Sequence, residues 1–259
     1  MNLHFTKPKK IPMKGLINHS LYSTVTLAFL LWFTPVLGQV PTPEAAIQLA
    51  FQQSKRQAVQ NPLIQRNNVL DKAFQEEDNN FNRYWLSYGL YNQALIADRL
   101  EDKKAAEELI DRAIELLNPL EEDPESQALL ALQLGYSTRF KSYWSMISLG
   151  RNAYQRAERA AALAPTNMRT NLALAINDFY TPKVFGGGKK VETHLIKALQ
   201  APSPSASDTS PTWGKPNAYE LLVKYYQKNE QQTEAQNYLN QGLSEFPDSE
   251  LLLSLKYSP

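Results

Sequence analysis

The chain has 259 residues, with 27 basic and 26 acidic side chains, a formal charge of +1, three histidines and no cysteine. That balance excludes a chain-wide basic footprint for nucleic acid. The missing cysteine excludes disulfides, thiolate metal sites, a cysteine nucleophile and lipidation through a Cys residue.

Residues 1–38 read as a secretory signal. Lys7, Lys9, Lys10 and Lys14 precede an uncharged run from Leu21 to Leu37, Pro35 relaxes its end, and Val36 and Gly38 put small residues where a signal peptidase reads, predicting cleavage between Gly38 and Gln39. The competing reading is an uncleaved N-terminal anchor, because the apolar run approaches the ~18 residues of a membrane span. A start at Met13 gives a signal of more ordinary length. Cleavage takes away four lysines and no acid, so the remaining 221 residues carry 23 basic and 26 acidic groups and a charge of −3. The expected product is periplasmic or secreted, is not a lipoprotein, and is not an integral membrane protein once the signal is gone.

From Gln39 the apolar residues recur with a 3.6-residue period, and Ala, Leu, Gln and Glu dominate, which predicts an all-α fold. Residues 43–77 form a helical pair broken at Asn61-Pro62 and serve as N-terminal capping helices. Pro43 and Pro124 fall near helix starts, and Pro119, Pro165 and Pro247 just past ends. Tyr84, Tyr88 and Tyr91 share one helix face, with Trp85 beside them. Tyr136, Phe140 and Tyr143 share another, with Trp144 beside them, on a single long helix spanning 125–149. With Arg83 and Arg139 these aromatics make a candidate groove for a peptide or an acidic small molecule, since Tyr and Arg are favoured at interaction hot spots. Interhelical core is the alternative, as aromatic stripes at helical spacing usually pack inward.

A period follows. Ala153, Ala157, Ala160 and Pro165 are spaced four, three and five apart, and Ala235, Leu239, Gly242 and Pro247 repeat those spacings. Ala106, Ile110, Ala113 and Asn118 match, with Pro119 one residue late; Val191, Leu195, Ala198 and Ser203 match more weakly. Small residues on one helix face let a neighbouring helix approach, and the proline closes the unit. This pattern resembles the second helix of the tetratricopeptide repeat (TPR), a helix–turn–helix unit. In the last copy the first helix matches too, with Tyr219, Leu222, Val223 and Tyr226 at the signature positions; Val223 and Gly242 depart from the usual residues.

The resemblance implies a TPR-like right-handed α-solenoid of about four to five antiparallel helix pairs: irregular repeats over 78–200, a Ser/Pro-rich loop at 201–216, the best-matching repeat at 217–248 and a C-terminal capping helix at 249–257. It also implies a non-enzymatic scaffold that binds a protein or peptide of the cell envelope in its concave groove. The alternative is a periplasmic carrier of small molecules, or transporter accessory, with a pocket lined by the aromatics; a closed cavity lined by Tyr88 and Tyr143 is the feature that would favour it. No cofactor or metal is implied. The loop 201–216 is read either as mobile or as a lid carrying Trp213 over the groove.

Phe185-Gly186-Gly187-Gly188-Lys189-Lys190 is the sharpest local motif. Lys190 stands where a nucleotide-binding loop needs Ser or Thr. Gly186, Gly187, Gly188 and Lys189 are candidates for an anion-binding turn at a helix N-terminus; the other reading is an enlarged turn with Phe185 tucked against the core. With Trp213-Gly214 downstream, the segment resembles a subgroup of exported bacterial TPR proteins. His194 is the one histidine left after cleavage, with no second metal ligand at helical spacing, and is read as a solvated or capping residue.

Overall fold

The structure, a computed structural model, describes residues 41–202 and 210–256; the expected signal at 1–38, the stretch 203–209 of the Ser/Pro-rich segment and Tyr257 lie outside the described residues. All regular structure among those described is helical. Helices α1 (Pro43–Gln57) and α2 (Asn61–Glu76), α3 (Asn80–Arg99) and α4 (Lys103–Leu117), α5 (Pro124–Ser137) and α6 (Tyr143–Leu163), α7 (Met168–Tyr180) and α8 (Val191–Gln200), and α9 (Lys215–Lys228) and α10 (Gln232–Glu245) form successive pairs, closed by α11 (Glu250–Leu255).

The helix starts are set by short polar side chains. Thr42, Asn79, Asp102, Asp123, Asn167 and Ser249 each accept a hydrogen bond from a first-turn amide, taking up donors that no earlier carbonyl can reach. Proline occupies the first turn of α1, α2, α5 and α9. Asn61-Pro62 opens α2; the break lies just before it, where Ala58 adopts a left-handed φ of 52°.

The spaced small residues sit on the packed face of each second helix: Ala106, Ile110 and Ala113 on α4, Ala153, Ala157 and Ala160 on α6, Val191, Leu195 and Ala198 on α8, and Ala235, Leu239 and Gly242 on α10 are all buried. At Gly242 a Cβ would meet the Tyr219 ring and Leu252 Cδ1, both at 3.0 Å, so α10 can seat between α9 and α11 only with a very small residue there. Pro165 and Pro247 are exposed beyond their helices and end them without packing, correcting their inclusion among the packing positions.

The single helix expected over 125–149 is two helices. At the end of α5 the hydroxyl of Ser137 donates to the carbonyl of Leu134 (2.9 Å) and that of Thr138 to Gly135 (2.7 Å). These bonds take up carbonyls of the last turn. A 3-10 turn over Thr138–Phe140 follows, and Lys141 anchors the reversal on Glu107 (2.7 Å) and Asp111 (2.8 Å) of α4. The additional length of this repeat lies in the 21-residue α6.

First helices touch one another in sequence, α1 on α3, α3 on α5, α5 on α7 and α7 on α9, forming the inner layer of a solenoid whose second helices lie outside. Three apolar clusters result: one from α1 to α6 around Leu86, Leu129 and Leu130; a small one of alanines and leucines between α5, α6 and α7; and one from α7 to α11 around Leu172, Leu195 and Leu222. The two ends of the chain of helices meet, since Lys55 (3.4 Å) and Arg56 (2.7 Å) of α1 pair with Glu250 of α11. These exposed pairs contribute little by themselves. Ala157→Leu, which forces three methylene-sized groups into the alanine seam, is expected to cost about 1–3 kcal/mol in urea unfolding, whereas Pro165→Ala should cost under about 1 kcal/mol; equal effects would contradict the roles given to the two positions.

Candidate functional site

The inner layer has two ends with different contents. At the N-terminal ends of the first helices the space is filled by the segment leading into α9. Trp213 stacks on Tyr88 with ring centroids 5.2 Å apart and planes 18° from parallel, and its indole N–H donates to the Tyr84 hydroxyl (3.0 Å). Trp213 is packed against all three clusters. Glu44 of α1 holds the same segment, accepting from the Thr212 amide and hydroxyl, both at 2.7 Å. Gly214 allows the entry into α9 at φ 112°, where a Cβ would press 2.7 Å from Met168 Cε.

Beneath Trp213 lies a buried ion pair. Arg169, at the start of α7, donates twice to Glu125, at the start of α5 (2.5 and 2.7 Å), and once to the carbonyl of Trp213 (3.2 Å), with its guanidinium 5.9 Å from the indole ring. Asn167 donates to the same carboxylate (2.6 Å). Tyr88 accepts from the Gln48 amide (2.5 Å). Burial pushes the Tyr84 and Tyr88 phenols well above their ordinary range, so both stay neutral polar pegs.

The predicted groove residues therefore separate. Tyr84 and Tyr88 are core beneath Trp213 and do not line an open groove. Arg83, at the start of α3, is tied to Asp78 (2.5 Å) and lies over the Phe74 ring (5.3 Å), remote in role from Arg139. Tyr88 and Tyr143 share no cavity, one being buried and the other exposed, so the feature that would favour a carrier is not formed. A cleft of about 290 Å³ lies instead between α2, α3 and α4, lined by Gln60, Gln93, Leu109 and Arg112.

At the opposite end of the inner layer Tyr91, Tyr136, Arg139 and Phe140 do come together. Tyr91 and Tyr136 are 5.6 Å apart edge to face, Tyr136 and Phe140 5.5 Å, and Arg139 lies 5.2 Å over the Tyr136 ring. The cluster is half-buried, with Arg139 exposed. Its floor is Asp98, which accepts from the Tyr136 hydroxyl (2.9 Å) and pairs with Arg139 (3.1 Å) and Lys103. Burial opposes the Asp98 charge, yet Lys103, Tyr136 and Arg139 together hold its carboxyl below the usual range. Burial and the neighbouring Tyr180 push Tyr91 up to about 12. Tyr143 and Trp144 are not part of this cluster: the turn at 138–142 carries them to the start of α6, where they touch each other (5.4 Å).

The glycine turn does bind an anion, and that anion is the chain's own. Asp178, near the end of α7, accepts from the amides of Gly188 (3.0 Å) and Lys190 (2.6 Å). Gly187 presses so closely on the Thr181 carbonyl that no Cβ fits. Of the donors proposed for an external anion, the Gly188 amide is thus taken by Asp178, and those of Gly186 and Gly187 go to the carbonyls of Lys183 (2.9 Å) and Pro182 (3.3 Å), while the Lys189 side chain is exposed. Phe185 points to solvent, contrary to the expectation that it packs on the core. His194 is half-buried on α8, its pKa lowered by burial and then by Lys197.

Glu44, Gln48, Glu125, Arg169 and Thr212 carry no local signature. Glu125 looks like an ordinary acid in a helix first turn, and its partner is 44 residues away. Since removing one member strands a buried charge, Glu125→Leu is expected to cost about 3–5 kcal/mol in urea unfolding, and Glu125→Leu with Arg169→Met to recover most of it; a double variant no more stable than Glu125→Leu would contradict the pairing.

Neither a protein-family model nor a curated protein matches the chain. Solved structures do. TTC0263, a thermophilic TPR protein from Thermus thermophilus, is 15% identical over 81% of this chain and 96% of its own, with a TM-score of 0.53. The HusA haemophore from Porphyromonas gingivalis is 19% identical over 71% and 94%, with a TM-score of 0.49. YrrB, described as a TPR protein with an unusual peptide-binding site, is 15% identical over 83% and 91%, with a TM-score of 0.37. The likeness to TTC0263 is one of fold: five helix pairs and a closing helix arranged as a TPR-type α-solenoid.

Proposed function

We propose that this is a non-enzymatic TPR scaffold of a bacterial cell envelope, exported by the signal at 1–38, and that it holds a protein or peptide partner on the open end of its inner layer. The carrying observation is the cluster of Tyr91, Tyr136, Phe140 and Arg139. It is contributed by consecutive first helices and the turn that follows one of them, and the half-buried rings surround one exposed guanidinium. Aromatic rings with an arginine in a partly desolvated setting are the composition at which interface energy concentrates. The concave face at the other end is already taken by Trp213, Thr212 and the residues that hold them. Export is supported by the charge pattern of residues 1–38, and the absence of cysteine suits a compartment in which free thiols oxidise.

A photoreactive phenylalanine analogue at Phe140 should capture a discrete envelope protein, and a matching probe at the exposed Leu49 of α1 should not. Arg139→Glu should lower the captured yield at least about tenfold, a loss of about 1.4 kcal/mol. Equal capture from both positions, or capture indifferent to Arg139→Glu, would overturn the assignment. N-terminal sequencing of the protein from envelope fractions should begin at Gln39; an intact 1–38 would contradict cleavage.

A further inference from the structure

We propose that the end of the solenoid built by the start of α6 and the turn between α7 and α8 is a seat for an anionic phospholipid surface. Helices α6 and α7 are antiparallel neighbours, so the first turn of α6 and the residues after α7 emerge at the same end. These two segments carry five strongly exposed large apolar side chains: Val184 is 84% exposed, Trp144 79%, Tyr180 68%, Phe185 65% and Tyr143 59%. Among the described residues only Leu49 and Val69, on α1 and α2, are comparable, and they stand alone. Single exposed apolar residues need no explanation, but five on two adjoining segments do.

The projection is built. Asp178 ties down the amides of Gly188 and Lys190, and the close seat of Gly187 on Thr181 fixes the turn, so Val184 and Phe185 are held at its tip. Around them the charge has one sign. Segments 141–151 and 179–191 contain Lys141, Arg151, Lys183, Lys189 and Lys190 and no acid. Lys141 is neutralised by Glu107 and Asp111, but Arg151, Lys183, Lys189 and Lys190 are exposed and make no ion pair among the described residues. The nearest carboxylates in sequence are committed, Asp178 to the turn and Glu192 to the Tyr226 hydroxyl (2.8 Å).

This arrangement selects the occupant. Lysine is depleted from the cores of protein interfaces, whereas here lysines alternate with apolar tips on an outer edge. A bilayer surface accepts that mixture: Val and Phe enter the acyl boundary, Trp and Tyr sit at headgroup depth, and lysines face the phosphates. Each lysine near an anionic surface contributes about fivefold in partition.

The test uses the full chain and, in parallel, residues 39–259, which contain all three clusters. They are mixed with vesicles of phosphatidylglycerol and phosphatidylcholine carrying brominated acyl chains, and with phosphatidylcholine vesicles alone. Binding is read by flotation and by quenching of tryptophan fluorescence. Anionic vesicles should bind and quench both chains, and the quenching should fall in Trp144→Phe. Lys183→Gln with Lys189→Gln and Lys190→Gln should lower partition on the order of 100-fold, and Val184→Ser with Phe185→Ser at least about tenfold. All these positions are exposed, so circular dichroism and Tm should stay as in the parent. Equal binding to both vesicle types, quenching unchanged in Trp144→Phe, or binding only by the chain that retains residues 1–38 would overturn the proposal. So would a soluble protein shielding this edge while no vesicle binds.

Discussion

The stacking of Trp213 on Tyr88 is the contact on which the arrangement of this solenoid depends. A row of helix pairs has only nearest-neighbour contacts, so its two ends are free of each other unless something crosses the interior. Here the segment before α9 crosses it. Trp213 touches the cluster of the first helices, that of the last helices and the alanine seam between them. Its backbone carbonyl is held by Arg169, its indole N–H by Tyr84 and the preceding residue by Glu44. A single large side chain with every polar atom satisfied thus joins helices that share no sequence neighbourhood, and the exposed pairs between α1 and α11 only trim the closure.

That closure fills the centre of the inner layer. In an open solenoid the inner layer of first helices is the surface offered to an extended ligand. Here its N-terminal half is occupied by the chain itself, and polar groups that would recognise a peptide there are spent on Thr212 and Trp213. What remains accessible is the other end, where Tyr91, Tyr136 and Phe140 stack around Arg139. Next to it, the start of α6 carries Tyr143 and Trp144, and the turn after α7 carries Val184, Phe185 and lysines that make no ion pair among the described residues. Both surfaces follow helix reversals, the 3-10 turn after α5 and the glycine turn after α7.

The repeat was legible because its physics is local. Small residues spaced four and three apart on a helix followed by proline are needed wherever one helix must seat closely on another, and the buried Ala106, Ala153, Ala160 and Ala235 occupy those seats. The break inside 125–149 was not legible, since Gly135 is the one glycine near it and a single glycine is also tolerated inside a helix; Ser137 and Thr138 end α5 through side-chain bonds that any helix-interior Ser or Thr also has available. Trp213 was visible as a residue able to cover the groove, but its partner Tyr84 lies 129 residues away, and Glu44, which holds the neighbouring Thr212, lies 168 residues from it. Tyr84 and Tyr88 looked alike with Tyr91 on one helix face, and what separates them is that distant segment. Phe185 faces outward because Asp178 supplies the carboxylate that organises the turn, a pairing set by the fold and not by the motif.

The closure is tested most directly by the distance between the first and last helices. The chain has no cysteine, so spin labels introduced by Leu49→Cys on α1 and Lys256→Cys after α11 are unique. Double electron–electron resonance should give one narrow distribution in the parent, and Trp213→Ala should broaden it and shift it to longer distance while the helical signal is retained. An unchanged, narrow distribution in Trp213→Ala would contradict the role assigned to Trp213.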